Sequence, residues 1–156
     1  MLKFFGPIVV VEDMKRSRHF YEQVLGQQVD MDFVVNVGYK GGFSIHLKGH
    51  YQELLGDPIR YPIASKAHDV ALYFETDEID AVLGRLKQNS VEFIHEVVEQ
   101  PWGQQTMRCY DLDGHIIEIG ELMDVCVRRM HKQGLSLEEI IKKTAMPAEF
   151  VEKAVK

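Results

Sequence analysis

Val70-Ala71-Leu72-Tyr73-Phe74-Glu75-Thr76 is a run of β-branched, aromatic and apolar residues that reads as a strand. It leads straight into Asp77, placed to cap a helix whose apolar residues Ile79, Val82, Leu83 and Leu86 fall at i, i+3, i+4 and i+7. Three more strands are expected at 91–98, 104–110 and 116–119, with Asp113-Gly114 turning before the last. The same order occurs upstream. Residues 4–11 form a β-branched apolar run, and Asp13 precedes a helix carrying Met14, Phe20, Tyr21, Val24 and Leu25 on one face, which Gly26 ends. Strands are then expected at 28–33, 35–39 and 43–48, with Gly41-Gly42 between the last two.

One strand, one helix and three strands, written twice, is an internal duplication. Gly6 registers with Ala71, Met14 with Ile79 and Tyr21 with Leu86. Beyond the helix the second copy is longer, so that Gly42 falls on Gly114 and His46 on Glu118. The modules occupy 3–48 and 69–121, and a connector rich in Gly, Pro and Tyr spans 49–68. Residues 122–156 form a separate helical extension.

Composition agrees with an ordinary folded chain. The 156 residues suit one domain of typical size, 46% are apolar and 27% charged, and the net charge of −6 argues against a nucleic-acid partner. No uninterrupted apolar run, 7–11 included, exceeds five residues, far below the ~20 that cross a bilayer, and the first residues carry no signal-peptide pattern. A cytoplasmic protein with no membrane partner is therefore expected. Cys109 and Cys126, the only cysteines, are expected to act as small apolar fillers.

Three motifs resemble the vicinal oxygen chelate superfamily of glyoxalase I, bleomycin-resistance proteins and extradiol dioxygenases. They are Val10-Val11-Glu12-Asp13-Met14 leading to Phe20-Tyr21 and Val24-Leu25-Gly26; Phe74-Glu75-Thr76-Asp77-Glu78-Ile79-Asp80; and, the most specific, Tyr110-Asp111-Leu112-Asp113-Gly114-His115-Ile116-Ile117-Glu118. The resemblance implies an α+β fold of two tandem βαβββ modules forming a half-open barrel around a pocket, in a homodimer. It also implies a divalent cation, such as Zn, Ni, Mn or Fe, held at four equivalent strand positions.

Those positions fall on Gly6, His46, Ala71 and Glu118, and only His46 and Glu118 carry side chains that coordinate. Strand residues alternate faces at ~3.3 Å each, so His68 points away from Ala71's face, while Tyr73 and Glu75 share that face but lie roughly 7 and 13 Å along it. The favoured expectation is therefore no metal cofactor, with His46 and Glu118 joined by a charge-assisted hydrogen bond. Alternation also predicts the pocket lining: Gly6, Ile8 and Val10; Ser44, His46 and Lys48; Ala71, Tyr73 and Glu75; Ile116, Glu118 and Gly120.

Trp102, the only tryptophan, lies in a turn-prone loop and either stacks on a ligand or plugs the structure beneath the connector. His46, Tyr73, Glu75, Trp102 and Glu118 are thus the expected ligand-binding residues, and His46 and Glu118 the metal candidates. The functional reading is a small-molecule binder of the glyoxalase and bleomycin-resistance type. Its alternative is a divalent-metal lyase, isomerase or dioxygenase acting on vicinal oxygens.

Arg108 reads as one half of a structural salt bridge, and His19, His50, His68, His115 and His131 read as solvated surface. In the extension, helices are expected at 122–133, after a Ser136/Glu139 capping box, and from Pro147 as first helical residue. Seven basic residues against five acidic give this segment a balance unlike the acidic remainder, yet its last helix is a poor fit to a phosphate backbone. It is expected to cover a sheet edge or dock on a partner subunit.

Overall fold

Alternation of buried and exposed positions builds two four-stranded sheets with the same internal order. In a computed structural model describing residues 1–156, the first sheet consists of β1 (Ile8–Val11), β2 (Val29–Asp32), β3 (Asn36–Tyr39) and β4 (Phe43–Leu47), ordered β1-β4-β3-β2. The second consists of β5 (Ala71–Thr76), β6 (Phe93–Glu99), β7 (Gln105–Tyr110) and β8 (Ile116–Glu121), ordered β5-β8-β7-β6. The duplication read from the sequence is thus present as repeated topology.

The chain divides into two units, Met1–Val70 with Tyr110–Ile116, and Ala71–Cys109 with Ile117–Lys156. In the first, β1 pairs parallel with β4, with Ile8 beside Ser44 and Val10 beside His46, and β4–β3–β2 is antiparallel. Val9, Val11, Val37 and Ile45 point the other way and are buried, together with Phe20, Tyr21, Tyr39 and Phe43. The four rings pack at centroid separations of 4.9–5.9 Å. Asp13 caps α1 (Met14–Arg18) by accepting from the Arg16 N–H, as expected. The helix then widens into a π-helical segment, His19–Val24, where the Leu25 N–H reaches back to the Phe20 carbonyl.

Several expected boundaries move for identifiable reasons. The first strand begins at Ile8 instead of residue 4, because Gly6 sits at φ +133° and Pro7 has no N–H for a ladder. Phe4 and Phe5 are consequently exposed. Lys48 leaves the strand and opens α2 (Lys48–Leu55), a helix within the connector that its glycines concealed. Asp77 does not cap α3 (Ile79–Gln88); Thr76 Oγ1 accepts the Glu78 N–H, and the cap position falls on Glu78.

The second unit includes the extension, as α4 (Met123–Lys132), α5 (Leu137–Thr144) and α6 (Ala148–Ala154). These helices bury their own cluster of Cys126, Val127, Met130, Ile140 and Val151. Both cysteines are buried, and burial together with the Glu121 charge pushes the Cys126 thiol up to about 12, so it serves as an inert filler. Pro147 stands at the N-cap of α6, so the helix starts at Ala148, one residue later than expected. The Ser136/Glu139 capping box forms in full. Ser136→Ala removes both bonds of the Ser136 hydroxyl, leaving only the backbone N–H bond to Glu139, and is expected to lower stability by about 1 kcal/mol in urea melts. No helix is long and apolar enough to cross a membrane.

Candidate ligand-binding face

In the second unit, alternation along β5 leaves Ala71, Tyr73 and Glu75 on the exposed face while Leu72 turns inward. β8 presents Glu118 and Gly120 in the same phase, with Ile117 and Ile119 buried. Tyr73 is 50% exposed, and Trp102, at the tip between β6 and β7, is 39% exposed.

Gln104, only 4% exposed, joins these residues. The Trp102 Nε1–H can only donate, and it donates to Gln104 Oε1 at 3.0 Å. This fixes the amide: Gln104 Nε2 donates to the Tyr73 hydroxyl at 2.9 Å and to the Glu121 carbonyl at 2.8 Å. The Tyr73 hydroxyl in turn donates to Glu75 Oε1 at 2.9 Å. A directed relay therefore runs from indole through amide and phenol to carboxylate. Burial holds the Tyr73 phenol above its usual range; the bond from Gln104 opposes this, and Glu75 and Glu118 add to it, so the hydroxyl remains a donor. Gly120 makes the crossing possible, since a Cβ there would lie 2.8 Å from both Gln104 Nε2 and the Tyr73 oxygen.

Three of the expected ligand-binding residues, Tyr73, Glu75 and Trp102, thus come together, and Gln104 was missed. Its meaning lies in partners 31 and 17 positions away, and the only local hint is an amide two residues after the sole tryptophan. Glu118 occupies the same sheet differently. Its Oε2 accepts from Arg108 Nε at 2.7 Å, the structural salt bridge expected of Arg108. Arg108 Nη1 also donates to His95 Nε2 at 2.9 Å, and His95 Nδ1 lies 2.8 Å from the Glu96 carbonyl, which fixes the neutral Nδ1–H tautomer.

His46 lies in the first unit and is 8% exposed. Asn36 Nδ2 donates to its Nδ1 at 3.1 Å, so the proton sits on Nε2 and is shared with His50 Nδ1 at 2.8 Å. Burial and the neighbouring His50 hold His46 below its usual value, and the ring stacks on His50 and meets Tyr51 edge-on. Within its own unit, each of the two residues expected to bond one another has other partners: His46 pairs with Asn36 and His50, and Glu118 with Arg108. His50, read as solvated surface, is half-buried against His46; likewise His115 bonds Asp111, and His68 Nε2 lies 2.6 Å from the Tyr110 hydroxyl. Elsewhere in the first unit, a cleft of about 510 Å³ is lined by Phe5, Ile8, Met31, Phe33 and Ser44 among others.

The donor set does not fit the cation implied by the family resemblance. A Cβ at Gly6 would lie 1.7 Å from the Gly42 carbonyl oxygen, so no ligating side chain fits on this backbone, and Ala71 has no donor atom. The nitrogens of His46 are engaged by Asn36 and His50, Glu118 is held by Arg108, and no group of three His, Cys, Asp or Glu side chains converges.

Residues 4–124 match the family model of the glyoxalase-like domain. The chain belongs to that family. Among proteins similar to this glyoxalase-like chain is the uncharacterized protein YetH of Bacillus subtilis (strain 168), 25% identical over 122 residues that cover 78% of this chain and all of that one. A protein of unknown function from Agrobacterium tumefaciens str. C58 shares 35% identity with a TM-score of 0.69, over 78% of this chain and 95% of that one. A glyoxalase-related enzyme from Fulvimarina pelagi shares the fold at 20% identity, with a TM-score of 0.65 over 78% and 90%. The family match ends at residue 124, within α4, so α5, α6 and most of α4 lie beyond the matched residues.

Proposed function

We propose that this glyoxalase-like protein binds a small cationic aromatic molecule at the exposed face of its second module, without a divalent cation at the four family positions. One observation carries the reading. The Trp102–Gln104–Tyr73–Glu75 relay fixes two exposed aromatic rings beside a carboxylate whose only hydrogen-bonding partner is Tyr73. Ring faces carry negative potential that attracts a delocalised cation, and Glu75 supplies the opposite charge. Because Gln104 satisfies the indole and the phenol internally, ligand binding need not desolvate unpaired polar groups. The misfit of the metal donor set supports the metal-free half of the proposal.

The test is calorimetric titration of the intact protein with thioflavin T, a cationic aromatic dye, against the anionic anilinonaphthalene sulfonate. Thioflavin T is expected to bind and the anionic dye to bind far more weakly. Glu75→Gln and Trp102→Leu should each weaken thioflavin T by about fivefold, the worth of one charge or cation–π contact on a partly exposed surface. Preference for the anionic dye, or unchanged affinity in both variants, overturns the reading.

A further inference from the structure

The loop that carries Trp102 is held from behind by helices that lie almost wholly beyond the family match. Gly103 takes φ +91°, and a Cβ on it would meet Met130 Sδ at 2.8 Å and Lys143 Cε at 3.3 Å, so α4 and α5 lie directly against its backbone. Arg129 of α4 is the centre of this contact. Its Nη2 donates to the Gly103 carbonyl and to Glu121 Oε1, both at 2.5 Å, its Nε reaches Glu121 Oε2 at 3.3 Å, and its Nη1 reaches Glu99 Oε2 at 3.1 Å. Lys143 of α5 binds the other oxygen of Glu99 at 2.6 Å.

Each of these acceptors leads to the relay. Gly103 sits between Trp102 and Gln104. Glu121, 2% exposed, accepts the Gln105 N–H at 2.8 Å through its side chain and the Gln104 amide through its carbonyl. Glu99 ends β6, where the loop begins. One planar guanidinium therefore ties together the start of the loop, its tip and the strand beneath, a geometry that a lysine ammonium cannot reproduce.

We propose that the C-terminal helices are a clamp that sets the Trp102 loop for binding, with Arg129 as the positioning residue. Arg129 touches no ligand; it fixes the indole and, through Glu121 and Gln104, the Tyr73 hydroxyl. The consequence for affinity rests on the binding reading above, whereas the control of the loop does not.

The sole tryptophan reports directly on the loop. Acrylamide quenching of Trp102 emission is measured on the intact protein without ligand, for wild type, Arg129→Ala, Arg129→Lys and Arg128→Ala. Arg128 serves as the control because it pairs with Asp124 on the exposed side of the same helix. Releasing the loop is expected to raise the quenching constant at least about twofold in Arg129→Ala and in the same direction in Arg129→Lys, with Arg128→Ala unchanged. Thioflavin T affinity should fall alongside. An unchanged constant in a folded Arg129→Ala protein, or an equal rise in Arg128→Ala, overturns the proposal; should Arg129→Ala fail to melt cooperatively, an unchanged constant in Arg129→Lys does so. Failure of the wild type to bind the dye removes the binding reading and leaves the quenching result to decide the clamp.

Discussion

Asp111→Ala is expected to lower stability by about 3–5 kcal/mol, the range for removing one partner from a buried charged network. Asp111 is buried in the Asp111-Leu112-Asp113-Gly114-His115 turn, and four donors converge on it. Its Oδ2 accepts from the Tyr21 hydroxyl at 2.8 Å and from His115 Nδ1 at 2.9 Å, and its Oδ1 from the Asp113 and His115 backbone N–H groups at 3.0 and 2.8 Å. Alanine leaves all four without an acceptor. The Tyr21 hydroxyl suffers most, being enclosed by Phe20, Tyr39 and Phe43 where no water replaces the carboxylate. Burial and the Asp111 charge hold the Tyr21 phenol far above its usual range, so it is a donor at every accessible pH. Tyr21→Phe removes one donor and leaves the other three satisfied, and should cost about 1–2 kcal/mol. Urea melts of the two single variants and the double would check this: near-additive losses would mean that the hydrogen bond contributes little.

The same network gives stability a pH dependence. Burial resists ionisation of both partners, yet the hydrogen bond to Asp111 raises His115 above its ordinary 6.5, and the bonds from His115 and Tyr21 lower Asp111 below 3.8. The His115 contribution is complete below its unfolded value and is lost as pH rises through its raised folded value. The Asp111 contribution is complete above its unfolded value and is lost as pH falls through its lowered one. The stability difference between wild type and Asp111→Asn should therefore be greatest between about pH 4 and 6.5 and shrink on both sides.

What could be read from residue order followed from which interactions are local. Period-2 and period-3.6 patterns recur within a dozen residues, so the two modules, the Asp13 cap and the Ser136/Glu139 box were all legible. Strand alternation likewise put Tyr73, Glu75, Glu118 and Gly120 on one face. α2 was hidden because Gly49 and Gly56 bracket a weakly amphipathic stretch that buries no residue. Asp77 failed as a cap because Thr76, one residue earlier, supplied a hydroxyl to the same turn. Partner choice at the site could not be read, since every competitor for His46 and Glu118 had to be placed first: Asn36 by the β3–β4 register, His50 by an unexpected helix, and Arg108 by the neighbouring strand.

Arg129→Met carries the second large expected effect, and it separates the clamp's structural role from its positioning role. The Glu121 side chain is 3% exposed, and losing the guanidinium would leave its charged carboxylate with only the Gln105 N–H and the weakly donating Cys126 thiol, at a cost of about 3 kcal/mol or more. Replacing both partners removes the stranded charge. Arg129→Met/Glu121→Met should therefore recover most of the loss, leaving about 1 kcal/mol for the unpaired Gln105 N–H. The Gly103 carbonyl and Glu99 still lack Arg129 in the double variant, so Trp102 should remain as quenchable as in the single one. Urea melts and acrylamide quenching on the same samples then diverge: stability returns while the loop stays loose. Recovery of both together would mean that Arg129 acts on the loop only by neutralising Glu121, and that its contacts with Gly103 and Glu99 have no independent hold on the indole.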